Sequence, residues 1–298
     1  MSENITHTAV CDDCCRLILH DTDTCAAFRE SLSSHHDAAR LGGVTRWGDR
    51  FTVDLLGRYR EAWPARSEED RALPRKLAFV LGWLCHRAAD RQLKPVFRAT
   101  DPDCDRSPTD CSIYHDVFLF REVYDEGRRA PYAPAVLEQP PESAPAAGAL
   151  NVAEIEELFR LLAQRALLAL HTLMPDPDEA DGWLERLFER RQRFRVDIGR
   201  YAEAFADPDP DKTRRFIEEI NFYDPEEPLI RLARGLQHGE PVESVPLQEA
   251  LDGAASGCIY ARTVRRGCLY LRAANGYFLG RLEEDEVRRR LDIGEPGG

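Results

Sequence analysis

An all-α fold, a multi-helix bundle, is what this sequence predicts, and three observations carry the expectation. Apolar residues recur at helical spacing in segment after segment, as in Leu55, Leu56, Tyr59 and Trp63. No segment alternates apolar and polar residues over the length of a strand. The stretch from Leu77 to Cys85 is apolar on every face, which suits a helix in the middle of a bundle rather than on its surface. With 298 residues, 43% hydrophobic and 31% charged, the chain is long enough for a sizeable core and reads as soluble and globular.

Taken in order, Arg16 to Leu32 reads as a helix interrupted by the turn signal Asp21-Thr-Asp-Thr. Ahead of it, Cys11-Asp-Asp-Cys14-Cys15 has the spacing of half a zinc knuckle. A second Cys-x2-Cys is absent, so helix-side thiols are the better reading. A short helix follows Ser33-Ser-His35-His36-Asp37, and Gly42-Gly43 is expected to stop it. Gly48 lets the backbone turn sharply before Asp49, which either caps the helix Phe51 to Trp63 or aims its carboxylate inward. Leu73-Pro74 opens a central helix, and Pro95 closes it or marks its last turn. The aspartate-rich loop Thr100 to Thr109 does not match an EF-hand and reads as solvated.

Cys111 to Asp125 resumes helix, with His115, Leu119 and Glu122 on one face. Residues 127–150, rich in Pro and Ala, form a connection between a helical region 1–126 and a helical C-terminal part 151–298 that packs on the first as one domain. In that part, Val152 to Leu173, Trp183 to Phe205, Lys212 to Phe222, Leu229 to Leu236 and Glu283 to Leu291 are helical. Ala254 to Phe278 reads as a packed helix, with a strand pair left open by its β-branched and aromatic residues.

The charge of −13 argues against a large nucleic-acid surface but leaves room for a local phosphate pocket. No apolar run approaches the ~20 residues of a membrane span. The first residues lack the basic and apolar regions of a signal peptide, and nine cysteines, an odd number, fit free thiols in a reducing compartment. A cytoplasmic protein is the expectation.

The chemistry concentrates before the connection, in His35, His36, Asp49, His86, Asp90, His115 and Asp116. On the central helix His86, Asp90 and Lys94 fall on one stripe, neighbouring Cβ atoms ~5–6 Å apart. Buried, an imidazole and a carboxylate need partners, and these two either chelate an ion or hydrogen-bond each other.

The segment Leu81-Gly-Trp-Leu-Cys-His-Arg-Ala-Ala-Asp-Arg-Gln-Leu-Lys-Pro95 resembles the signature of the bacterial zinc-dependent phospholipase C family, relatives of fungal single-strand nucleases. That family is all-α, and its buried helix carries His-x3-Asp as part of a zinc cluster. By position, the resemblance implies that His86 and Asp90 are metal ligands. It sets Asp49 on the loop aspartate that bridges metals or handles the proton, His36 (or His35) on the early histidine, and His115 on a later one. Lys94 stands where the family has a histidine, and Leu119 where it has an acid, with Glu122 or Asp116 as replacements. The N-terminal tryptophan of the secreted members is absent.

The surviving residues therefore imply about one or two zinc ions and a phosphoester hydrolase acting on a small phosphoester or a phospholipid headgroup. A metal-activated water attacks phosphorus, and Lys94 holds a phosphate oxygen. Two alternatives stand beside it. One is an HD-type phosphohydrolase, from the His-Asp dipeptides at His20, His36 and His115. The other is a non-catalytic helical scaffold or interaction protein that retains a buried His-Asp pair.

Overall fold

The structure is a computed structural model describing residues 4–45, 51–67, 72–101, 108–124, 179–239 and 246–293. Asp49, the connection 127–150 and the expected helix Val152 to Leu173 lie outside the described residues, as does most of the loop after Thr100. Every regular element among the described residues is helical, so the fold is all-α as expected. None of these helices is long and apolar enough to cross a membrane.

The helices are α1 (Asn4–His20), α2 (Ala26–Ser34), α3 (His36–Val44), α4 (Thr52–Ala62), α5 (Ala72–Thr100), α6 (Asp110–Glu122), α7 (Ala180–Ala206), α8 (Pro210–Thr213), α9 (Pro228–His238), α10 (Leu247–Gly253), α11 (Ile259–Phe278) and α12 (Glu284–Arg290). They fall into two compact units, Met1–Thr6 with Thr100–Glu219, and His7–Ala99 with Ile220–Gly298.

In the second unit the core is built by α1, α5 and α11. Helix α1 begins at Asn4, well before the expected start at Arg16. Asp12 and Asp13 hide its apolar pattern, yet both are buried and neutralised. Asp12 accepts from His36 Nε2 and Arg40 Nε, each at 2.8 Å. Asp13 accepts from Tyr260 Oη (2.8 Å), Arg16 and Arg234. With those charges paired, Ala9, Val10, Cys11, Cys14, Cys15, Leu17 and Ile18 pack in the interior.

The thiols of Cys11, Cys14 and Cys15 meet Cys85 of α5 and Cys268 of α11, where they serve as small apolar side chains. Burial, then the neighbouring Cys268 thiol, pushes the Cys14 thiol well above its ordinary range, so it stays protonated and inert.

Helix α3 runs through Gly42 and Gly43 instead of stopping at them, and Thr45 caps its end with a bond from its N–H to the Gly42 carbonyl (3.0 Å). The glycines are there for packing. A Cβ on Gly42 would collide with the Phe79 carbonyl oxygen, and one on Gly82 with that of Ala39. The backbones of α3 and α5 therefore touch. Pro95, expected to close α5 or mark its last turn, lies inside it, and the helix continues to Thr100. Proline removes one helical hydrogen bond, but Leu93 and Phe97 on either side are buried and hold the helix on course.

Helix α11 confirms the helical alternative for that segment, and its Gly267 gives way to the Cys14 thiol. Arg87 and Arg91 of α5 hold the C-terminal turn through the Leu291 and Asp292 carbonyls.

In the first unit, Thr109 caps α6 by accepting from the Ser112 N–H (3.0 Å). After α8 the chain widens into a π-turn, Arg214–Glu218.

Candidate functional site

The site starts from α5. Four residues apart on one helix, His86 and Asp90 point their polar ends the same way, and His86 Nε2 lies 3.5 Å from Asp90 Oδ2. The apolar run before His86 places that ring in the core, 7% exposed. Its other nitrogen, Nδ1, donates to the Gly43 carbonyl at 2.9 Å. Only the glycine-on-glycine approach of α3 and α5 brings that carbonyl so close. The bond fixes the ring and turns its Nε2 toward the Asp90 carboxylate.

The third member comes from α1. His7, 1% exposed, stacks its ring on that of His86, with centroids 4.4 Å apart and planes at 29°. Its Nε2 lies 3.3 Å from Asp90 Oδ1. Ligand atoms of His7, His86 and Asp90 all lie within 4.8 Å of one another, the metal-competent group found among the described residues. Two ligands of one tetrahedral ion with bonds of about 2.1 Å stand about 3.4 Å apart. His7 Nε2 stands 3.3 Å from Oδ1 and His86 Nε2 3.5 Å from Oδ2, so each imidazole is near that spacing from one carboxylate oxygen.

Imidazole and carboxylate donors suit zinc and other borderline divalent ions, and a histidine whose second nitrogen is tied to a backbone carbonyl is the usual oriented ligand. The residues present fit such an ion.

Lys94, one turn further along α5, places Nζ 2.8 Å from Asp90 Oδ2. Its side chain is 39% exposed, so this pair lies at the edge of the site and not in a dry core. Burial pushes the Asp90 carboxyl up, but the hydrogen bonds and charges of His7 and His86 outweigh it and hold the group well below the usual carboxylate range. Asp90 is a carboxylate at every working pH.

Of the residues singled out in the sequence, His86, Asp90 and Lys94 come together. His36 does not join them: its Nε2 donates to Asp12, which also takes Arg40, and the early histidine of the cluster is His7. Burial alone would raise Asp12, but Arg40 and His36 hold it well below the ordinary range.

His115 belongs to the first unit, where it is fully buried and its Nε2 donates to the Phe216 carbonyl of the π-turn (2.9 Å). Burial pushes it down to about 3, a shift that the Phe216 bond only partly opposes, so the ring is neutral. Its neighbour Asp116 accepts from Thr6 N, Thr6 Oγ1 and Tyr201 Oη at 2.7–2.8 Å. The His115-Asp116 dipeptide is thus a structural element of its unit, and the described metal-competent group is not built on a His-Asp dipeptide.

His7 escaped the reading of the sequence because α1 was expected to start later. The signal was there: His7, Cys11, Cys14 and Ile18 follow a helical stripe, and all four are buried.

Comparison of the chain with protein-family models, with curated proteins and with solved structures finds no match.

Proposed function

We propose that this chain is a metal-dependent phosphoester hydrolase whose metal centre is His7, His86 and Asp90. The observation that carries the reading is the convergence of two imidazoles and an ionised carboxylate from two helices, with ligand atoms within 4.8 Å of one another. Zinc bound there supplies a water with a pKa of about 7 and an electrophile for the phosphoryl oxygen. The protein's own part is to hold the ligands. The Gly43 carbonyl orients His86, and the α1 backbone positions His7 against it.

Lys94, at the edge, supplies a second positive charge for a phosphate oxygen. The substrate class is a small phosphoester or a phospholipid headgroup, in keeping with a net charge of −13 that disfavours an extended nucleic acid. The eight described cysteines, all free, fit a reducing compartment, and we place the protein in the cytoplasm.

The test is hydrolysis of bis(p-nitrophenyl) phosphate and of p-nitrophenylphosphocholine by protein loaded with zinc or manganese. Activity should fall at least about 100-fold in His86→Ala and His7→Ala, as loss of a metal ligand requires. No activation by any divalent ion would refute the reading.

The Lys94–Asp90 ion pair specifically favours a second reading, a non-catalytic scaffold in which the ammonium already neutralises the carboxylate. In that case the purified protein carries no metal, and Asp90→Asn lowers stability without touching any activity.

A further inference from the structure

One carboxylate gathers three nitrogen groups at this site. Asp90 Oδ2 lies 2.8 Å from Lys94 Nζ and 3.5 Å from His86 Nε2, while Oδ1 faces His7 Nε2 at 3.3 Å. Asp90 is the one anionic member of the metal-competent group, so a divalent ion needs the charge that Lys94 now holds. An ammonium left beside that ion would be repelled by it across a few ångströms.

The histidines are locked, His86 by Gly43 and His7 by stacking, but Lys94 is not. Its side chain is 39% exposed against 9% for His86, and its contact with Asp90 is made from the next turn of the same helix. Rotation about its own side-chain bonds frees it, with no movement of backbone. The residue type matters too. The chain has three lysines among its 40 Lys and Arg residues, and an ammonium is a mobile point charge where a guanidinium would grip the carboxylate with a fixed fork.

We infer that Lys94 couples metal binding to anion binding: the ammonium leaves Asp90 when the ion arrives and turns to a phosphate group at the mouth of the site. The inference rests on the metal-centre reading above and adds its regulation. Without an anion, Lys94 competes with the metal for Asp90 and weakens it. With an anion, the displaced ammonium gains a new partner, so ion and phosphate group strengthen each other. Thermodynamic linkage makes the effect reciprocal. The chain loads its metal most tightly when a phosphate-bearing ligand is present.

The experiment is a zinc titration of the full chain against a chromogenic chelator, with and without phenylphosphonate, a non-hydrolysable phosphate monoester analogue. Without phosphonate, Lys94→Met should bind zinc about two- to five-fold more tightly than the natural chain, the range that loss of a partly exposed ion pair supports. Phosphonate should tighten zinc in the natural chain by at least about five-fold more than it does in Lys94→Met. Lys94→Arg should restore competition for Asp90. Lys94→Gln gives the same readouts should the methionine variant not fold.

Equal zinc affinity in the natural chain and Lys94→Met, or equal phosphonate effects in both, would overturn the coupling and leave the metal centre standing. A natural chain that binds no zinc would overturn the metal centre itself, and the coupling with it.

Discussion

At the scale of single residues, what sets this chain apart is a carboxylate with three nitrogen partners: His7, His86 and Lys94 around Asp90. Two of the three were legible in the sequence, because an i, i+4 and i+8 stripe on a strongly apolar helix leaves little choice of geometry. His7 was legible only through its stripe with Cys11, Cys14 and Ile18. Its helix is disguised by Asp12 and Asp13, whose partners Arg40 and Arg234 lie 28 and 221 residues away in sequence. His36 looked like the early ligand and is instead the partner of Asp12.

His115 gives a prediction at this scale. Its folded value, about 3, lies below the ~6.5 of an unfolded histidine, so between those values the unfolded chain binds the extra proton. Stability held at neutral pH is therefore lost as pH falls through that window. From pH 7 to pH 5 the loss due to this residue should be roughly 2 kcal/mol. Urea unfolding of His115→Gln, which keeps an N–H for the Phe216 carbonyl, should show a flatter pH dependence than the natural chain. An unchanged slope would remove His115 as its source.

At the scale of elements, the decisive contact is α3 on α5. The sequence offered Gly42-Gly43 as a helix stop, the commonest use of glycine at such a point. Only the facing Gly82 and the carbonyls of Ala39 and Phe79 reveal a backbone-to-backbone crossing. Pro95 misled in the same way, because local propensity marks a helix end and the buried Leu93 and Phe97 override it.

The crossing has a functional consequence, since it brings the Gly43 carbonyl to His86. Gly82→Ala should destabilise the protein by about 1–3 kcal/mol, as overpacking a tight contact does. It should also weaken metal binding by pushing Gly43 away from the ring. Chemical denaturation and zinc titration of the same variant check both halves. A stability loss with zinc affinity intact would show that the Gly43 bond does not orient His86.

At the scale of the whole molecule, the fold class was legible because helical periodicity and the absence of alternation survive every local misreading. His115 and His86, which the sequence gathers into one set, fall in different compact units.

A metal held only by the folded second unit must stabilise it. Zinc at about 100 times its dissociation constant should add about 2.7 kcal/mol, and a chelator should lower the unfolding midpoint correspondingly. Absence of any shift would argue for the scaffold.

The most direct test of the metal centre is the metal content of the protein as purified, set beside that of His7→Ala and Asp90→Asn. Near-stoichiometric zinc or manganese in the natural chain, lost in both variants, is the expected result. Metal absent from the natural chain after incubation with either ion, or metal retained in both variants, would contradict a centre built on His7, His86 and Asp90.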